Sequence, residues 1–192
     1  MAFVTGQSCS LKLGRAQEAL DQIDTLINLF AADKDPELER RVADALVARS
    51  DLLLSLGQTE LALADCDEVI RRFQADADPP IRRAVATAML NKGVVFSRKG
   101  NTDQEIAQYD RLLESFGDDS DPDVRSTVAT AILNKAATLR GLARYVDSRA
   151  LAQHVLRSYA NDLDPGENLR ARNLMKIAGP SERLYRLVKQ KR

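Results

Sequence analysis

Four prolines stand at one fixed interval: Pro36, Pro79, Pro122 and Pro165 are each 43 residues from the next. Phe30, Phe73, Phe116 and Tyr159 keep the same spacing, as do Gly14, Gly57 and Gly100, with Ala143 in the fourth place. A period of this length is the mark of stacked units, each too small to bury its own apolar surface. It argues against a globule built around one central site.

One unit shows how the period becomes structure. After Pro79-Pro80, where a fixed φ and a missing N–H suit a helix start, Ile81, Val85, Ala88, Met89, Gly93 and Phe96 recur at helical spacing. This predicts a helix A of about 20 residues, reaching Lys99. Gly100-Asn101 ends it. Helix B follows, with Ile106, Tyr109, Leu112, Leu113 and Phe116 on one face, and closes on the acidic turn Gly117–Asp121. The neighbouring units align: Val42, Val85 and Val128; Leu46, Met89 and Ile132; Leu26, Val69, Leu112 and Val155. The place of Gly93 is Ser50 in the preceding unit and Ala136 in the following one, so it stays small and lets helices A and B approach. The period predicts B helices over 16–29, 59–73, 102–116 and 145–159, and A helices from each periodic proline. The chain is expected to begin inside a helix A, with Phe3 at the place of Met89 and a turn at Gly14.

These residues resemble the tetratricopeptide repeat. Met89, Gly93, Phe96 and Gly100 match its helix A and turn in order; Ala62, Cys66 and Val69 match its helix B loosely. The family unit is about 34 residues, so the present one is roughly nine longer. The resemblance covers residues 3–160. It implies an all-α, right-handed superhelical array of antiparallel helix hairpins, an α-solenoid. We expect residues 1–179 to form about four such units, the first and last incomplete, and residues 180–192 to form a basic capping helix. The resemblance further implies a non-enzymatic scaffold that binds a peptide or helix of a partner protein along its A helices. By register that face carries Asp44 and Asp51, then Arg83, Thr87, Asn91 and Arg98, then Thr130 and Asn134. A carboxamide both donates and accepts, so Asn91 and Asn134 either clasp a peptide backbone or tie neighbouring A helices together.

Composition narrows the alternatives. Apolar residues make up 44% and charged residues 29%, as in ordinary folded domains. Net charge is zero, but from Arg170 onward eight Lys/Arg face one acid, Glu182, a local +7. This balance argues against a polyanion binder acting through the whole chain. It leaves a second reading, in which the basic C-terminal segment meets an acidic partner or nucleic acid. No run is long and apolar enough to span a membrane, the first residues offer neither a basic n-region nor an apolar run of signal length, so a secretory leader is not expected, and two cysteines form no disulfide scaffold. A cytoplasmic protein is expected, with weak self-association through Phe3, Val4 and Leu11. Cys66 falls at a core position. His154 stands alone and forms no metal site with another His or Cys; no cofactor is implied. Asp24, Asp67 and Asp110 recur at one period, which suits pairing with Arg or Lys better than acid–base catalysis.

Overall fold

The computed structural model describes the backbone of residues 3–176 and the side chains from Gly14 onward. Every regular element in that range is a helix: α1 (Phe3–Phe30), α2 (Pro36–Ser55), α3 (Thr59–Phe73), α4 (Pro79–Arg98), α5 (Thr102–Phe116), α6 (Pro122–Gly141), α7 (Tyr145–Ser158) and α8 (Pro165–Lys176). Each A helix starts on its periodic proline, and α3 and α5 occupy the predicted B-helix ranges. The fold is an all-α, tetratricopeptide-like hairpin repeat. The chain forms two compact units that divide within α4, one running to Val95 and the other from Phe96.

The helix starts share one device. Asp-x-Asp-Pro recurs at 33–36, 76–79, 119–122 and 162–165. In the first three copies the leading aspartate closes a short turn: Asp33, Asp76 and Asp119 accept from the amides of Asp35, Asp78 and Asp121 at 2.8–2.9 Å. The second aspartate then caps. Asp35 accepts from Glu37 and Leu38 N–H, and Asp121 from Asp123 and Val124 N–H. Each such cap contributes about 1 kcal/mol. At α4 the residue in the place of Glu37 is Pro80, which has no N–H. Asp78 turns instead to Arg40, which grips it with Nε at 2.6 Å and Nη2 at 3.0 Å. At α8 Asp164 and Glu167 form a reciprocal capping box, the Glu167 amide bonding Asp164 at 2.8 Å.

The turns between A and B helices share a second device. Gly57, Gly100 and Ala143 have φ of +76°, +72° and +61°. Around each, two backbone bonds close the helix end, for example Gln58 N–H to Leu53 O and Gly57 N–H to Leu54 O. The same pair recurs at Asn101–Phe96 with Gly100–Ser97, and at Arg144–Leu139 with Ala143–Arg140. This left-handed closure satisfies carbonyls that the helix would otherwise leave open.

The expected turn at Gly14 is absent: α1 runs unbroken from Phe3 to Phe30. Gly57 and Gly100 are followed by Gln-Thr and Asn-Thr, which leave room for a non-helical residue before helix B. Gly14 is followed at once by Arg15, Ala16, Gln17 and Glu18, all strong helix formers. Carrying one glycine inside a helix costs only about 1 kcal/mol, so the helix continues. The side chains of Phe3, Val4 and Leu11, and residues 180–192, lie outside what is described.

In the first unit α2 packs between α1 and α3. Val42, Ala62, Cys66, Val69, Val85 and Val95 are fully or almost fully buried there. Ser50, the small position of its hairpin, is also buried. Cys66 behaves as the core residue expected, its thiol pushed up to about 12 by burial. In the second unit α6 packs against α5, α7 and α8. Its core includes Tyr109, Leu112, Val128, Ile132, Val155 and Leu174, with Ala136 at the small position. Of the periodic aromatics, Phe73, Phe116 and Tyr159 are buried and Phe30 is half-buried. Tyr159 also donates its hydroxyl to Gly117 O at 3.1 Å and carries the Arg125 guanidinium over its ring.

Candidate interaction surface

The periodic aspartates resolve as structural. Lys92 bonds Asp67 at 2.5 Å, Lys135 pairs with Asp110, and Arg49 pairs with Asp24. Each pair joins an A helix to the preceding B helix across the same 25-residue separation. Their cations, Arg49, Lys92 and Lys135, are themselves one period apart. Arg49 does more than its counterparts. Its Nε and Nη2 also hold buried Asp65 at 2.8 and 2.6 Å. Among the described residues no group of three or more His, Cys, Asp or Glu side chains could hold a metal. His154 is exposed, edge-on to Tyr159 at 5.7 Å between ring centroids.

On the A-helix face of the first unit, Asn91 is 6% exposed. Its Nδ2 donates to Ser50 Oγ at 2.9 Å and to Asp51 Oδ1 at 2.7 Å. Both amide hydrogens therefore point into α2. These bonds match the expectation that Asn91 ties neighbouring A helices together. Asp51 sits above the usual carboxylate range because crowding desolvates it, while the Asn91 bond pulls the other way. Asp44 is exposed; desolvation raises its carboxyl, and the Arg83 cation partly offsets this. Thr87 spends its hydroxyl on Arg83 O of its own helix, at 3.0 Å. Arg83 is half-buried.

The second unit places its face differently. Arg98, at the end of α4, is exposed. Thr130 Oγ1 lies against Ser126 O at 3.0 Å and pairs with Glu167. Asn134 remains half-exposed, beside the Tyr109 hydroxyl. By the 43-residue register, the positions matching Ser50 and Asp51 for Asn134 are Gly93 and Val94, which carry no acceptor.

One residue on this face went unnoticed in the sequence. Arg170 of α8 is half-buried, and its guanidinium makes one long bond, Nη2 to Leu133 O at 3.4 Å. Glu167 is near, but one of its oxygens faces Thr130 and the other the Asp164 amide. Burial, with Arg140 adding repulsion, lowers the Arg170 pKa against the pull of Tyr109 and Glu167. The available signal was a single arginine in the second turn of an A helix.

The tetratricopeptide repeat family model matches residues 87–119, which take in the second half of α4, all of α5 and the start of the acidic turn. No curated protein and no solved structure shows a significant match to the chain. No described helix is long and apolar enough to cross a membrane. The match spans about one hairpin, and the helices on either side repeat the same pattern, so the fold is that of a tetratricopeptide-like helical repeat.

Proposed function

We propose that the chain is a protein-interaction scaffold whose A-helix face in the second unit takes an acidic peptide segment. The observation that carries this reading is Arg170, a desolvated guanidinium with no carboxylate at ion-pair distance among the described residues. A half-buried cation whose nearest carboxylate, Glu167, is already engaged by Thr130 and the Asp164 amide is incompletely neutralised, and an incoming carboxylate would meet it with paired hydrogen bonds. Asn134, half-exposed two turns along α6 from Ser126, can hold a peptide group beside it. Ser126, Thr130 and Asn134 form one polar line on α6.

The test is cross-linking and affinity capture with mass-spectrometric identification, followed by binding measurements on the captured partner. Arg170→Glu should abolish capture, and Arg170→Lys should retain part of it. Undiminished capture by Arg170→Glu together with Asn134→Ala refutes the proposal.

A further inference from the structure

A separate surface lies on the first unit, away from the A-helix face. A cleft of about 400 Å³ opens between α1, α2 and α3. Leu20 and Leu53 form its floor, and Leu61, 57% exposed, stands at its rim. Leu20 and Leu53 belong to the core cluster with Leu54, Ala62 and Val95, so the floor is rigid packing. Asp24, Arg49 and Asp65 line one side. Arg49 is fully engaged by the two aspartates, leaving the trio with a net negative charge.

The surroundings deepen that charge. From residue 16 to 30, α1 carries Glu18, Asp21 and Asp24 and no Lys or Arg. α3 carries four acids and, in its last turn, Arg71 and Arg72; Asp65 is held by Arg49, Asp67 by Lys92 and Glu68 by Arg71, so the open charge lies on α1. Residues 1–95 hold 15 acidic and 11 basic side chains, a net −4. An apolar floor beside the acidic α1, on a unit of net negative charge, fits a basic amphipathic segment.

The chain contains such a segment. Residues 181–192 place Leu184, Leu187 and Val188 at the spacing of one helical stripe, and around it stand Arg183, Arg186, Lys189, Lys191 and Arg192 against a single acid, Glu182. We infer that the cleft of one copy receives the basic segment 181–192 of a second copy, with Leu61 covering the apolar stripe and the α1 carboxylates Glu18 and Asp21 meeting its cations. The contact joins two different surfaces, so each copy offers one segment and one cleft.

The test is sedimentation velocity of the full chain across a range of concentrations and salt. The expected result is concentration-dependent association that weakens as salt rises. Leu61→Asp alters a rim side chain, and the double variant Arg183→Glu, Arg186→Glu alters the segment. Each should weaken association about tenfold or more. Mixing the two variants should restore a 1:1 heterodimer, because one brings an intact segment and the other an intact cleft. Circular dichroism of each variant checks that helix content is unchanged. A wild-type chain that stays monomeric throughout, association indifferent to either variant, or a mixture that fails to pair would overturn the inference.

Discussion

The A-to-B turns allow a stability prediction with opposite signs at equivalent positions. Ala143 has φ +61°, where Gly57 and Gly100 hold +76° and +72°. An L-residue with a Cβ costs about 1–2 kcal/mol in this left-handed region. Glycine there avoids the strain but loses about 0.4–1 kcal/mol through its freer unfolded chain. Ala143→Gly should therefore stabilise the protein by roughly 0.5–1 kcal/mol. Gly57→Ala and Gly100→Ala should destabilise it by a similar amount. Sterics do not confuse the comparison, since a Cβ at Gly57 or Gly100 would meet nothing within 4 Å. For a chain of this length 1 kcal/mol moves Tm by about 2–4 °C. Thermal unfolding followed by circular dichroism reads the shifts. If Ala143→Gly lowers Tm, or Gly100→Ala leaves it unchanged, the backbone argument is wrong.

Three further outcomes are expected. Asn91→Ala should cost about 1–3 kcal/mol, because Ser50 and Asp51 lose their donor, whereas Asn134→Ala should change stability by less than about 0.5 kcal/mol; urea denaturation of both variants compares them. The Asp51 carboxyl is raised in the folded state, so over the interval between its unfolded and folded pKa the folded protein holds more protons and stability falls as pH rises. Asp51→Asn should remove that part of the decline, which denaturation from pH 3 to pH 7 will show, and a parallel profile for variant and wild type would refute it. With its thiol pushed up to about 12 and no exposed surface, Cys66 should react with a thiol reagent only as fast as the core opens, so labelling should accelerate sharply in denaturant and rapid labelling of the native chain would contradict its burial.

Periodicity alone carried most of the fold. The prolines marked the starts of α2, α4, α6 and α8 because their fixed φ and missing N–H are local properties. The apolar positions located α3 and α5 because one helical face must be buried whatever it packs against. The Asp24, Asp67 and Asp110 row was legible as ion pairing for the same reason: its partner cations repeat with it. Gly14 misled because a glycine permits a turn without requiring one, and the residues after it decide. Asn91 and Asn134 sit in the same Leu-Asn-Lys string, yet only Asn91 is buried, against Ser50 and Asp51. Their difference is set by residues 40 and 41 positions away, and no local pattern contains that. Asp65 and Arg170 show the same division. A charge in a helix reads as solvated until a neighbouring helix covers it, and burial then turns one into an ion-paired anchor and leaves the other a cation short of a partner.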